Sequence, residues 1–140
     1  MEREQRVEAI SLADDDLIAA LADEVLADLE VTVTRGPSVG LLVVSAEEPS
    51  ERLPFYLTEV TVSEAEVMAR GERGYAMVMG RAPEKALAGA VLDVAISTGH
   101  SSSGRILELL HSALASEEER QAASWQRVQS TRVEFEEMAP

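Results

Sequence analysis

The spacing of apolar residues changes between Leu29 and Val31, and this change constrains the fold more than any other feature of the chain. Leu17, Ile18, Leu21, Val25, Leu26 and Leu29 recur as one face of an amphipathic helix. Val31-Thr32-Val33-Thr34 then alternates and is β-branched, as a strand should be. Short strands follow until Met79, and helical spacing returns after Pro83. Helices before and after a run of strands imply an α+β fold with a largely antiparallel sheet, N-terminal helices and C-terminal helices. We read residues 1–140 as a single domain.

A short helix is expected around Val7 and Ile10. Ser11 is the expected N-cap of the next helix, with Asp14 at the capping-box distance. Arg35-Gly36-Pro37-Ser38 reads as a turn, and Leu41–Val44, apolar on both faces, as a covered strand, the two flanking strands forming a hairpin. Glu47–Leu53 is a polar loop. Phe55–Val62 is a strand, and the shift of apolar parity beyond it predicts a break near Ser63. Gly71–Gly74 reads as a turn and Tyr75–Met79 as a further strand. Pro83 and Glu84 open a helix with Leu87, Ala90, Val91 and Val94 on its buried stripe. Gly89 and its small neighbours suit close packing against a sheet. A Ser/Gly loop (98–104) leads to a helix through Ile106 and Leu114, and Ser116 with Glu119 predicts a cap for a separate last helix. Val133–Glu136 alternates like a strand.

Charge excludes whole classes of partner. Twelve basic and 26 acidic residues leave a net charge of −14 in 140 residues, which opposes nucleic acid and anionic membranes. Residues 1–30 carry −8 of this, whereas residues 71–115 are neutral. There is no cysteine, so neither a disulfide framework nor a thiolate site is available. His100 and His111 alone leave little for zinc. The uncharged run Gly36–Ala46 is too short for a membrane span. The charged amino terminus lacks the apolar core of a signal peptide. A cytoplasmic location is the expectation.

No catalytic constellation and no metal site stands out. Gly80-Arg81 before a helix start, with Lys85 close by, resembles an anion-binding terminus but matches neither a P-loop nor a dinucleotide fingerprint. Ser97–Ser103 around His100 lacks nucleophile-elbow spacing and reads as a flexible helix-to-helix loop. Asp14, Asp15 and Asp16 point about 100° apart on a helix and do not converge. His111 reads as helix surface. Trp125, on the helix poorest in apolar residues, is a candidate interface anchor.

Four segments carry a family resemblance. Arg35-Gly36-Pro37-Ser38-Val39-Gly40-Leu41 resembles an Arg-Pro…Gly-Leu pattern. Phe55-Tyr56-Leu57-Thr58-Glu59-Val60-Thr61-Val62 resembles Phe-x-x-Gly-Glu-x-Thr-Val. Gly74–Arg81, with Ala86 and Asp93 beyond, resembles Gly-(His/Tyr)-x-x-Val-x-Gly-Arg and its helix. Thr131–Phe135, with Met138, resembles a terminal Thr/Ser-Arg-Val-Asp-Phe-Phe-Thr-Met. In order and register these are similar to the PhnG family, a subunit of the bacterial carbon–phosphorus lyase machinery. Thr58 stands at the family's Gly, and Glu51 and Glu64 lie where relatives are basic or neutral, so the chain resembles a divergent member.

The resemblance implies an accessory subunit acting with PhnH-, PhnI- and PhnL-type partners. Together these transfer the ribose triphosphate of ATP to a phosphonate, whose product a PhnJ-type enzyme later cleaves. ATP is then a substrate of the assembled complex, and no cofactor is expected in this chain. Arg35, Glu59, Arg81 and Arg132, polar residues within the matched motifs, are the candidate partner or anion contacts. Two other readings of the residues stand beside this one: a stand-alone anion-binding domain and an acidic protein-interaction module. Self-association of the isolated chain is a further expectation.

Overall fold

The computed structural model describes residues 1–132. Two helices, α1 (Arg3–Leu12) and α2 (Asp15–Leu26), precede three antiparallel strands, β1 (Thr32–Glu47), β2 (Pro54–Ala69) and β3 (Glu72–Met79). Two more helices, α3 (Pro83–Ser97) and α4 (Ser103–Gln129), follow. The sheet order is β1-β2-β3. This is the α+β arrangement that the change in apolar spacing implies. No helix among the described residues is long and apolar enough to cross a membrane. Val133–Glu136, expected as a strand, lies outside the described residues.

α3 is the centre of the core. Ala86, Gly89, Ala90, Leu92 and Val94 are buried between the sheet and the other helices. Pro83 and Glu84 occupy the first turn, as expected. Gly89 lies against Ile10 of α1 and Ala76 of β3, so its missing side chain lets three elements meet. Asp93 is fully buried on the same helix. It accepts hydrogen bonds from Arg6 Nε (2.6 Å) and the Tyr75 amide (3.0 Å), and Arg3 stands at 3.5 Å. Arg3 also donates to the Arg73 carbonyl. These bonds fix α1 across the outer edge of β3 and cover polar groups that an edge strand otherwise exposes.

Local chemistry corrects several expectations. The N-cap of α2 is Asp14 and not Ser11: its Oδ1 accepts from the amides of Asp16 (3.0 Å) and Leu17 (3.1 Å). Ser11 belongs to the last turn of α1, where its carbonyl accepts from Lys85 Nζ. Arg35–Ser38 is no turn. β1 runs through it with register irregularities between Val33 and Ser38, because an edge strand absorbs Gly36 and Pro37 as bulges. The hairpin therefore joins β1 to β2 through the polar loop at 48–53. The expected 71–74 turn moves to Arg70-Gly71, both at positive φ, which matches the twist of a two-residue hairpin.

β2 has no break at Ser63; its pairing with β3 runs unbroken from Val62 to Ala69. Apolar parity shifts because the buried position is held by Ser63 itself, whose hydroxyl donates to the Gly80 carbonyl (2.8 Å) and accepts from the Ala82 amide (2.9 Å). The expected separate last helix is continuous with the preceding one, as no Gly or Pro follows Gly104 before Gln129. Glu117 accepts from Gln121 and pairs with Arg120 inside that helix, so these acids extend it rather than cap it. His100 is not in a loose loop. It is buried, its Nε2 lies 2.7 Å from Asp28 Oδ1, and its Nδ1 accepts from the Ser102 amide (3.1 Å). His111 is exposed on α4, as expected.

Candidate partner interface

Pairing between β2 and β3 ends at Val62 and Met79, yet β1 and β2 continue together beyond it. Leu41–Ala46 and Phe55–Thr61 thus form a two-stranded arm roughly 20 Å long. Leu41, Leu42, Val43, Phe55, Tyr56 and Leu57 are all exposed on it, Leu41 at 66% and Tyr56 at 85%. The covered strand expected at Leu41–Val44 is therefore uncovered. Ser63, Ala65, Val67 and Ala69 of β2 are buried, whereas Pro54–Glu59 are all exposed.

Register assigns the two faces. Ser63, Ala65, Val67 and Ala69 point toward the helices, so alternation places Thr61 and Glu59 on that same side. Their partners are Leu41 and Val43. Val60 and its partner Leu42 lie on the opposite side. Val44 pairs with Thr58 while Ser45 pairs with Tyr56, which makes Leu57 the extra residue of a bulge. Both sides of the arm are thus apolar. At its tip, the Glu48 carboxylate accepts from the Ser50 hydroxyl and from the amides of Glu51 and Ser50; these bonds lower its pKa.

The structure gives the four sequence candidates separate settings. Arg35 forms a 3.0 Å ion pair with Glu64, which also accepts from the Tyr75 hydroxyl (3.1 Å). Burial, then this bond to Glu64, raises the Tyr75 pKa. Glu59 lies on the arm in a recess of about 400 Å³ with Val43, Tyr56, Leu57 and Thr58, and has no ion-pair partner among the described residues. It stands seven residues along β2 from Glu66, the level of Arg35, hence about 20 Å away. Arg81 is exposed at the start of α3. Arg132 follows the end of α4 and is exposed. Trp125, 62% exposed, and Val128 sit on the outer half of α4, beyond its last buried residue, Leu110.

The helix start after Gly80-Arg81 is largely occupied from within. The Ala82 amide donates to Ser63. Lys85, the sole lysine, donates to the carbonyls of Ser11 (2.9 Å) and Ala13 (2.6 Å) and pairs with Asp15 (2.8 Å). Asp15, Asp16 and Glu84 line the same recess as Arg81 and Lys85, so carboxylates oppose an entering phosphate. Among the described residues, no group of three or more His, Asp or Glu gathers to hold a metal. Sequence reasoning missed the uncovered arm and the buried role of Asp93. The arm's signal was present in the uncharged run Gly36–Ala46.

One small core with two uncovered apolar projections defines an α+β protein whose exposed apolar surface lies outside its core. The comparisons with known proteins give its family. The family model described as phosphonate metabolism protein PhnG matches residues 1–139. Over 111 residues the chain is 34% identical to the alpha-D-ribose 1-methylphosphonate 5-triphosphate synthase subunit PhnG of Rhizobium meliloti (strain 1021), an overlap of 76% of this chain and 68% of that relative. The chain belongs to the PhnG family, and phosphonate metabolism is its setting.

Proposed function

We propose that this chain is an accessory subunit of a cytoplasmic complex that transfers the ribose triphosphate of ATP to a phosphonate and releases adenine. The relative's name, a subunit of a ribose methylphosphonate triphosphate synthase, supports that reaction class. One observation carries the accessory role: the largest group of exposed apolar side chains lies on a projecting arm whose one charged side chain, Glu59, has no ion-pair partner among the described residues. Such an arm recognises protein. PhnI-, PhnH- and PhnL-type subunits are the expected company, with PhnJ-type chemistry downstream. In this reading the reacting groups and any cofactor belong to those partners, and ATP is a substrate of the whole.

Deletion of the gene in its own host tests the reading. Growth on methylphosphonate as the only phosphorus source is expected to stop, to return with the intact gene, and to be normal on phosphate. Undiminished growth of the deletion strain on methylphosphonate would overturn the proposal.

A further inference from the structure

Resting on the subunit reading, we propose that the β1–β2 arm is clamped on both faces by a partner subunit of different sequence, and that Glu59 receives a basic side chain of that partner. Strands exposed on one side alternate apolar and polar residues, whereas strands covered on both sides do not. The β1 half of the arm follows the second pattern: Leu41 and Val43 flank Glu59 on one face, and Leu42 lies with Val60 on the other. The single chain leaves Leu41, Val43 and Glu59 exposed on one face and Leu42 exposed beside half-buried Val44 and Val60 on the other, so the remaining cover of both faces comes from outside it.

Surface, edge and charge each describe the occupant. Leu41, Leu42, Val43, Phe55, Tyr56 and Leu57 are exposed together on two paired strands, the kind of apolar surface that marks a protein interface. The outer edge of β1 from Val39 to Ala46 carries no charge and no proline, the devices that otherwise keep an edge from pairing. The opposite edge of the sheet, on β3, is covered by Arg3 and Asp93, so protection was applied to one edge and not the other. Glu59 is the single charge amid the apolar side chains of its recess. Burying it there without a cation is unfavourable, and an arginine or lysine in the partner's wall satisfies it.

Two other occupants fit less well. The eight residues after Arg132 bring three carboxylates and no base. A second copy placed arm to arm across a two-fold axis offers the same surface, and residues 39–46 and 55–61 hold no base to meet Glu59. A partner of different sequence presents the cation without that conflict.

Co-expression of the full chain with the PhnI-type subunit of the same host, followed by binding measurements on the purified chains, tests this. Glu59→Gln is expected to weaken binding by about 30-fold or more, and Glu59→Lys to abolish it. Leu41→Ser is expected to weaken it as well, while Glu51→Gln in the loop leaves it within about threefold. Thermal melts of the variants should match the parent, since all these side chains are exposed. Wild-type binding with Glu59→Gln within threefold of it would overturn the Glu59 assignment and leave the subunit reading intact. A homodimer of the isolated chain that Leu41→Ser splits assigns the arm to a second copy and overturns the proposal. Loss of wild-type binding, with growth on methylphosphonate still dependent on the gene, overturns the arm's assignment alone.

Discussion

Asp93→Ala removes one of the groups that hold α1 to the rest of the fold, and its cost follows from the bonds it breaks. The Tyr75 amide loses its acceptor at 3.0 Å and is left unpaired, which costs about 1–3 kcal/mol. Arg6 loses a charge-assisted bond of 2.6 Å while its side chain remains only 14% exposed, a loss of about 1.5–3 kcal/mol. Arg3 is 43% exposed, so solvent replaces most of its share. The expected loss is about 3–5 kcal/mol, the range for removing one partner of a buried pair. With a urea dependence of about 1.5 kcal/mol per molar, the unfolding midpoint falls by roughly 2–3 M. Asp93→Asn keeps an acceptor for Tyr75 and should lose about 2 kcal/mol. Urea titration followed by circular dichroism reads both. A midpoint for Asp93→Ala within about 0.5 M of the parent would refute the reasoning, as would strict additivity with Arg6→Met.

Three further substitutions probe other joints. Gly89→Ala gains about 1 kcal/mol of helix propensity, but its Cβ meets Ile10 Cγ2 well inside contact distance and Ala76 Cβ at 3.0 Å; overpacking should win and lower the melting temperature by a few degrees. Asp14→Ala is expected to cost about 1 kcal/mol and Ser11→Ala less than half of that, a comparison of melts that identifies the true cap of α2. Tyr75 binds its proton more tightly folded than unfolded, first through burial and next through Glu64. Its contribution is therefore complete below the ordinary tyrosine value near 10 and fades as pH rises through the raised folded value. Tyr75→Phe should flatten the decline of stability as pH rises past the ordinary tyrosine value near 10; equal slopes for both proteins count against it.

How much of this was legible in the sequence varied with the range of the interactions involved. Helical spacing at Leu17–Leu29 and the Pro83-Glu84 start are local signals; α3 starts where expected, and α2 forms over Asp15–Leu26, later than a Ser11 cap implies and short of Leu29. Misreadings arose where distant partners decide. Gly36-Pro37 has turn chemistry, but pairing with β2 on one side draws it into a bulged edge. Ser63 is polar, yet Gly80 and Ala82, 17 and 19 residues away, satisfy its hydroxyl and make it a core residue. Lys85 beside a helix start suggested an anion site, and the carbonyls at the end of α1 engage it instead. Of the candidate contacts, Glu59 is the one whose surroundings single it out, because its apolar neighbours come from two strands that only register brings together.

Leu41–Val44 shows why a wrong expectation about a single chain can still carry information. Its pattern asks for cover on both faces, and the fold leaves Leu41, Leu42 and Val43 exposed. Selection acts on the assembled state, so a segment can satisfy the rules of a buried strand while its own globule leaves it bare. The core and the arm then answer to different constraints. Asp93, Gly89 and Asp14 share no bonded partner with Glu59 or Leu41. Their effects on stability should therefore add to arm substitutions without coupling. A change such as Leu41→Ser makes the isolated arm more compatible with water and the assembled one less so, giving opposite effects on solubility and on partner binding. That opposition distinguishes an arm awaiting a subunit from an apolar strand that merely happens to be exposed.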